Sequence, residues 1–291
     1  MDNADVLKKR FSAHPYLLAP MAGVTDAAYR IMCRRRGAAM AYSEMVSVAG
    51  LAYASEKTWD LVLPRDEEPQ ICVQLFGSKP EQFASANCSV TVTVKIRKDF
   101  KSGKLLAPDF AARMEQAGAS AVAVHGRSAG QLYSGSADWS VIDAVADRVS
   151  IPVIGTGDVF CAQDAANMLA QTAASAVFIA RGTYGNPWIF QDAAALSAGS
   201  PLPVHDAYER LAALREHVEL LDSLGGHMAK ARTFATWYLK GIPHAAFWRG
   251  RSVRYSTTQE FLDLADAIER DLAQCEELAG KGLPIPHDPF I

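Results

Sequence analysis

Seven short apolar runs recur along this chain at intervals of roughly 20 to 30 residues, and this spacing most constrains its fold. Most runs are continuous rather than alternating, which is typical of parallel strands covered by helices on both faces. The stretches between them have helical periodicity, as in Pro108–Ala117, which Gly118 follows as a helix stop. The sequence therefore predicts an α/β fold, a TIM-type β/α barrel. The predicted strands are Tyr16–Met21, Ala38–Ser43, Gln70–Phe76, Thr91–Ile96, Ala121–Val124, Ile151–Ile154 and Ala176–Ala180.

A closed barrel of this type has eight strands, so the pattern lacks one strand. The shortfall lies between Phe76 and Thr91, where only GSKPEQFASANCSV joins two of the runs. This connection barely reaches the minimum of about a dozen residues that a parallel crossover needs. It fits either one short helix or the loss of a whole βα unit.

The character of the chain changes after about residue 200. The segment SAGSPLPVHD has the proline, serine and glycine content of a linker. Beyond it, Ala207–Leu224 and Gln259–Leu278 show helical periodicity with charged outer faces and no strand-like runs. We therefore expect a β/α barrel over residues 1–200 and a helical domain over residues 201–291.

Composition and charge narrow the class of protein. The 291 residues carry a formal net charge of −3, so a nucleic-acid partner would need a local basic surface. The five cysteines are dispersed and lack metal-ligand spacing, which is typical of reduced thiols in a cytoplasmic protein without a structural metal. No apolar run is long enough to span a membrane. We expect a cytoplasmic monomer with no membrane partner.

Two glycine-containing loops follow the last two predicted strands, at Gly155–Asp158 and Ala180–Gly182. Small residues allow backbone N–H groups to approach a phosphate closely, and Arg181 could add charge-assisted hydrogen bonds. Each loop alone could be only a tight turn. Because the loops after the last two strands of such barrels commonly hold a phosphate, their succession favours a phosphate site.

Polar side chains interrupt other apolar strands. Gln74 lies within an apolar run, Lys95 and Arg97 alternate so that both point to one face, and His125 ends another run. A buried amide or lysine is costly unless it is paired, although a histidine is often satisfied by backbone groups alone. Together with a phosphate loop, these residues indicate an aromatic phosphorylated cofactor, and flavin mononucleotide (FMN) fits.

Longer motifs resemble the tRNA-dihydrouridine synthases. They occur in the same order as in that family and cover nearly the whole chain, and the last of them is similar to the family's helical RNA-binding domain. The motifs are LAPMAGVTDAAYR (Leu18–Arg30), VQLFGSKPEQFA (Val73–Ala84), VTVKIR (Val92–Arg97), AVAVHGRSAGQLYSG followed by ADW, PVIGTGDVF, FIARGTYGNPWIF and KARTFATWYLKGIPHAAF (Lys230–Phe247).

The resemblance implies an FMN, reduced by NADPH or NADH, that passes a hydride to C6 of a tRNA uracil. It implies three groups of cofactor-binding residues: backbone contacts to the flavin, side chains that contact the ring, its tail or the substrate, and a phosphate site. These are respectively Pro20, Met21 and Ala22; Gln74, Lys95 and His125; and Thr156, Gly157, Asp158, Ala180 and Arg181. Thr156 stands where the family usually has Asn, and Ala180 where it usually has Gly.

The resemblance also implies tRNA as the partner. Basic residues expected to contact RNA are Arg97, Lys230, Arg232 and Lys240. Aromatic residues lie among the last of these, at Trp237, Tyr238 and Trp248, and such interleaving suits RNA with some base stacking. The alternative is a solvated helical face above aromatic core residues.

One part of the family pattern has no match. Family members have a further strand that ends in an N-x-G-C-P loop, whose cysteine protonates C5 of the uracil. Neither this strand, its loop nor the helix after it is found here, and the gap coincides with the missing strand. The nearest cysteine, Cys88, precedes the VTVKIR strand at the opposite barrel end, so we interpret it as a small filler and assign no catalytic residue.

Three alternatives stay open from the sequence. The chain could be another FMN barrel oxidoreductase that acts on a small molecule, such as a dihydroorotate dehydrogenase-like enzyme. It could be a catalytically impaired flavin- and tRNA-binding remnant. The sequence could also lack a segment of the encoded protein, which an intact mass would reveal.

Overall fold

A computed structural model describes residues 2–53, 56–59, 61–62, 66–68, 70–77, 90–99, 105–286 and 289. The chain forms two compact units. The first consists of Met1–Asp26, Cys33–Thr183 and Trp188–Leu202, and the second of Ala27–Met32, Tyr184–Pro187 and Pro203–Ile291. Two short segments within residues 1–200 therefore belong to the second unit.

The first part of the chain alternates strands and helices, as the apolar runs predict. The strands are β1 (Tyr16–Leu18), β2 (Tyr42–Ser47), β3 (Cys72–Phe76), β4 (Thr93–Arg97), β5 (Ala121–His125), β6 (Val153–Thr156) and β7 (Ala176–Ile179). The helices are α1 (Asn3–Ala13), α2 (Ala27–Arg35), α3 (Val48–Ala52), α4 (Glu56–Trp59), α5 (Ala107–Gln116), α6 (Ser140–Ala146), α7 (Ala162–Gln171) and α8 (Ile189–Ser197). A short 3₁₀ helix covers Arg181–Thr183.

All strand pairs within the described residues are parallel, which confirms the predicted α/β class. Five strands form one sheet in the order β1-β7-β6-β5-β4, and β2 pairs with β3. The two groups are linked where Leu18 bridges Ala41 and where the Ala39 N–H donates to the Tyr16 carbonyl. The strand predicted at Ala38–Ser43 thus begins later, at Tyr42, because its first residues pair with β1 only at isolated positions.

The interior cluster of the first unit takes every second residue from several of its strands. This period of two is the signature of one common strand face, as in a barrel interior. Helix α1, which the sequence analysis did not predict, contributes to the same cluster through Leu7 and Phe11. The strand and loop residues of the cluster are Leu17, Ala19, Met40, Tyr42, Ala121, Ala123, Ile154, Ala176 and Phe178.

Strands β3 and β4 differ from the others in burial. Every residue of β6 and β7 is buried, whereas no residue of β3 or β4 is. Phe76, at the end of β3, is 43% exposed, and Val92, just before β4, is 47% exposed. Within the described residues no ladder joins β3 to β4. The two strands that flank the sequence shortfall are therefore the two ends of the strand order.

The second unit is helical, with α9 (Ala207–Ser223), α10 (Ala229–Tyr238), α11 (Ala245–Ser252) and α12 (Thr258–Gly280). Asp206 caps α9 by accepting a hydrogen bond from the Glu209 N–H, and Thr257 forms a capping box with Glu260 at the start of α12. These caps explain why both long helices begin within one residue of their predicted starts. Among the described helices, none has both the length and the apolar character to cross a membrane.

The place of β3 and β4 at the two ends of the strand order predicts how fast their amide hydrogens exchange. A strand with a ladder neighbour on one side only leaves half of its backbone groups without a ladder partner. We expect the amides of β3 and β4 to exchange at least about 10-fold faster than those of β6, because less structure must open to expose them. Hydrogen exchange with mass spectrometry measures this, with β6 as the internal control. Equal protection in β3, β4 and β6 would contradict the expectation.

Candidate functional site

The register of β4 against β5 decides where the predicted basic residues point. Lys95 lies opposite Ala123 and Arg97 opposite His125. Ala123 belongs to the interior cluster, and side chains two residues apart share a strand face. Lys95, Arg97 and His125 therefore lie on the interior face, toward the carboxyl ends of their strands.

Gln74 and Thr156 lie on the same face. Cys72 packs against the interior cluster, so Gln74, two residues later in β3, is also on the interior side. Thr156 is buried and pairs with His125. The structure thus brings Gln74, Lys95, His125 and Thr156 to one side of the strand order, at the end where β/α barrels carry their active sites.

The charges at this end favour an anion. The side chain of Lys95 is exposed, but partial desolvation by the surrounding protein lowers its pKa to about 8, and the charge of Arg97 lowers it further. Burial, followed by the charges of Lys95, Arg97 and Arg127, lowers the pKa of His125 to about 4, against an opposing effect of Asp158. At neutral pH His125 is therefore neutral while Lys95 is mostly charged. The positive charge at this end therefore comes from Lys95 and Arg97 and not from His125. That charge suits a ligand with phosphate or other anionic groups.

The loop after β6 requires its glycine. Gly157 has φ 126, and a Cβ there would lie 2.6 Å from the Ala137 Cβ and 3.0 Å from the His125 ring. The indole Nε1 of Trp139 donates to the Gly157 carbonyl at 2.9 Å. The ADW motif that carries Ala137 and Trp139 therefore fixes the predicted phosphate loop against His125.

Asp158, the next residue of that loop, binds two arginines. Both terminal nitrogens of Arg127 lie 2.7 Å from its two carboxylate oxygens, and Arg181 Nη2 lies 3.2 Å away. The Ala137 N–H also donates to the carboxylate, at 2.7 Å. Burial raises the pKa of Asp158, but these hydrogen bonds and the two positive charges outweigh it and hold the pKa below its ordinary value. The carboxylate therefore holds the loops together, and only the backbone of Asp158 is suited to bind a phosphate.

Side-chain hydrogen bonds support the backbone around the other predicted cofactor contacts. Thr25 is fully buried; its hydroxyl oxygen accepts from the Met21 N–H and lies 3.1 Å from the Met21 carbonyl. In the same loop, the Gly23 N–H donates to Glu44 at 2.6 Å. Thr183 donates to the Ala180 carbonyl from both its hydroxyl and its N–H. Pro20 is half-buried and Ala22 is exposed.

Sequence reasoning assigned no role to Arg127, Trp139 or Glu44. Arg127 and Trp139 lie inside motifs that carried the family resemblance, and Arg127 follows His125 by two residues. The place of Arg127 at a predicted strand end was the available signal, but the burial that makes an acidic partner necessary is not visible in the sequence. Its partner, Asp158, could not be found from spacing because 31 residues separate the two in sequence.

The predicted RNA contacts are spread over both units. Arg97 donates to the Ser128 carbonyl at 3.1 Å. Lys230 and Arg232 lie on α10, and Arg232 Nε donates to the Tyr255 carbonyl at 2.7 Å. Lys240 is exposed and follows α10. Nothing in these contacts tests RNA binding by the four basic residues, so it stays a prediction.

Of the two interpretations left open for the aromatic residues of the helical unit, burial favours the core for Tyr238 and Trp248. Tyr238 is 4% exposed and Trp248 is 1% exposed, and the Trp248 indole donates to Asp271 at 2.8 Å. Trp237 lies parallel to Tyr184 with 3.9 Å between the ring centres, so one of its faces is covered. The apolar spacing of these residues reflects the core of the helical unit. Cys88 lies outside the described residues.

His244, Asp271 and Cys275 form one cluster of potential metal ligands in the second unit, with ligand atoms within 4.8 Å of one another. His244 Nδ1 lies 2.8 Å from an Asp271 oxygen, and its Nε2 lies 2.6 Å from the Pro286 carbonyl. Both ring nitrogens thus have hydrogen-bonding partners, and hydrogen bonds account for the cluster.

The family model and the three relatives described next all carry a dihydrouridine synthase name. The family model described as dihydrouridine synthase (Dus) matches residues 17–91 and 84–273. The "tRNA-dihydrouridine synthase B" of Xanthomonas axonopodis pv. citri is 31% identical over 300 residues, covering 85% of this chain and 90% of that protein. The protein of the same name from Pseudomonas aeruginosa is 31% identical, covering 83% and 89%. The "Probable tRNA-dihydrouridine synthase" of Rickettsia conorii is 30% identical over 287 residues, covering 80% and 87%.

The match to the family model is divided into two segments within the chain. The two matched segments meet at residues 84–91, between β3 and β4. The Xanthomonas alignment runs over 300 residues but uses only 85% of the 291 residues of this chain. Several dozen aligned positions therefore hold a residue of the relative and none of this chain. The break lies in the interval where the strand count falls short.

Replacement of Asp158 by Asn tests the ion pair. Arg127 is almost fully buried and Asp158 is 22% exposed, so the variant leaves a buried guanidinium without its counter-charge. We expect the free energy of unfolding to fall by about 2–3 kcal/mol in urea denaturation at pH 7. Because the folded-state pKa of Asp158 is depressed, the difference should shrink as the pH falls below the ordinary carboxyl value of about 4.

The matched control is Asp109→Asn. Asp109 lies 3.8 Å from Arg148, is 75% exposed, and should contribute less than about 0.5 kcal/mol. Equal effects of the two substitutions would show that the Arg127–Asp158 pair is not what stabilises the loops.

A second prediction concerns the lowered pKa of His125. In NMR titration of histidine-labelled protein, His125 should titrate near pH 4. Lys95→Ala should raise this pKa, because it removes the largest of the repelling charges, whereas Lys281→Ala, on an exposed helix end, should not. The signal is assigned with His125→Gln. A titration near the ordinary value of about 6.5 would contradict the burial of this ring.

Proposed function

This chain belongs to the dihydrouridine synthase family, and we propose that it is an FMN-dependent oxidoreductase that reduces uridine in tRNA to 5,6-dihydrouridine. Three curated relatives carry names of tRNA-dihydrouridine synthases, and this chain covers most of their length. The observation that carries the proposal is the interior group of Lys95, Arg97 and neutral His125 beside the Gly157 loop. A tRNA substrate would place the protein in the cytoplasm.

The residues present fit a flavin mononucleotide. The positively charged strand ends suit a phosphate and the electron-rich edge of a reduced flavin. Gln74, Lys95 and His125 would hold the ring, its tail or the uracil. The backbone from Pro20 to Ala22 would lie along the ring. The phosphate would be bound by backbone at Thr156, Gly157, Asp158, Ala180 and Arg181. A bound FMN, reduced by NADPH or NADH, would supply the hydride for C6 of the uracil.

Lys95 is the central residue of this arrangement. It lies one pair earlier in the β4–β5 register than Arg97 and His125, opposite Ala123 of the apolar interior, and its side chain is exposed. A charged lysine there would stabilise negative charge on a ligand ring and would donate up to three hydrogen bonds. His125, being neutral, has one donor and one acceptor nitrogen, so it can bind a polar edge without adding charge.

The step that lacks a residue is protonation at C5. The family's loop cysteine has no counterpart in this sequence, and the family model matches in two segments that meet in the same interval. A positioned proton donor typically contributes at least about 100-fold, so solvent protonation would leave a correspondingly slow enzyme. We therefore propose that this chain forms dihydrouridine slowly, at a rate set by proton transfer.

The direct test uses tRNA that lacks dihydrouridine, with FMN and NADPH, and detects the product by mass spectrometry of nucleosides. Lys95→Ala should reduce product formation at least about 10-fold, because the substitution removes the cation that stabilises the ligand's charge. Lys281→Ala is the control with an exposed lysine and should retain the rate.

Other outcomes separate the alternatives. Turnover as fast as that of cysteine-containing relatives would refute slow protonation. A flavin spectrum and NADPH oxidation without dihydrouridine would support the impaired flavin- and tRNA-binding remnant. Reduction of free pyrimidines but not of tRNA would support a small-molecule oxidoreductase.

A further inference from the structure

Large apolar side chains are exposed on the loops that follow β5 and β6. Leu132 is 64% exposed, Tyr133 67% and Phe160 51%. The two loops begin at the carboxyl ends of their strands, the same end as His125 and Thr156. Grouped exposed apolar residues beside a candidate active site are typical of a surface that contacts a partner.

Several hydrogen bonds support the loop that carries Leu132 and Tyr133. Gln131 Nε2 donates to the carbonyl of Ser134 at 2.7 Å and to that of Ser136 at 3.2 Å. Arg127 Nη2 donates to the Gly135 carbonyl at 2.6 Å. Leu132 itself has φ 50, a left-handed conformation that is uncommon for a bulky residue and costs free energy. The surrounding hydrogen bonds stabilise a strained loop that directs two apolar side chains outward.

Arg181 lies against the aromatic rings of both loops. Its guanidinium carbon is 4.6 Å from the Tyr133 ring centre and 4.8 Å from that of Phe160. Asp158 holds the guanidinium from another side, at 3.2 Å. A cation against one ring face fixes the ring's orientation, and the exposed fraction of Tyr133 shows that much of its surface stays accessible.

We propose that Tyr133, supported by Arg181 and Phe160, is a stacking platform for an unpaired nucleobase of the RNA substrate. An accessible aromatic ring beside a guanidinium matches a base with its adjoining phosphate, which a purely apolar partner surface does not require. The helical unit offers no equivalent in Tyr238 or Trp248, which are buried. The inference rests on the proposed function, and it names a contact for a base other than the one being reduced.

The test measures the dissociation constant of unmodified tRNA for the full chain at several salt concentrations. Tyr133→Ala should weaken binding about 10-fold, because base–aromatic stacking is lost. The slope of log Kd against log salt should not change, because no phosphate contact is removed. Tyr133→Leu, which keeps apolar bulk, should weaken binding similarly, whereas Tyr133→Phe should stay within about 2-fold of the parent chain.

Phe110→Ala provides the matched control, since Phe110 is 47% exposed but lies on helix α5. Its substitution should leave binding unchanged, and cooperative melting of each variant verifies the fold. Parent-like affinity of Tyr133→Ala and Tyr133→Leu would overturn the platform while leaving the proposed function intact. Equal loss in Tyr133→Phe would show that the hydroxyl is what matters and would also overturn stacking. Absence of tRNA binding by the parent chain would overturn both proposals.

Discussion

The ion pair between Arg127 and Asp158 is the interaction on which the candidate site depends. It joins the loop after β5 to the loop after β6, and Arg181 extends it to the segment after β7. Asp158 has φ 56, so its backbone needs such support to stay in a left-handed conformation. Because Arg127 is buried, the pair cannot separate without leaving a charge in a poorly solvated place. Three loops that are distant in sequence are thereby fixed as one rim.

The fold was largely predictable, because parallel strands appear in sequence as short continuous apolar runs. The period of two in TVTVKIR correctly put Lys95 and Arg97 on one face, which the register with β5 places inside. The start of β2 was missed because residues before Tyr42 are apolar without forming a regular ladder. Helix α1 was missed because only Ala4, Leu7 and Phe11, among several polar residues, form its buried face.

The site was less predictable than the fold, for two physical reasons. The role of Asp158 depends on Arg127, and no local pattern identifies a partner 31 residues away. The aromatic residues of the helical unit illustrate the second reason. Tyr238 and Trp248 have the composition of a nucleic-acid surface, but burial decides their role, and a sequence window does not report burial. Strand ends could be located from sequence, whereas partners and exposure required coordinates.

The lowered pKa of Lys95 has a thermodynamic consequence for any anion that enters the interior. With a pKa of about 8, part of the Lys95 population is uncharged in mildly alkaline solution. An anion beside the amine favours its charged form, so binding and protonation are linked equilibria. Ligand entry above neutral pH is then accompanied by proton uptake from the buffer, and the heat of binding varies with the buffer's ionisation enthalpy. An anion that binds beside Lys95 would therefore be taken up together with a proton.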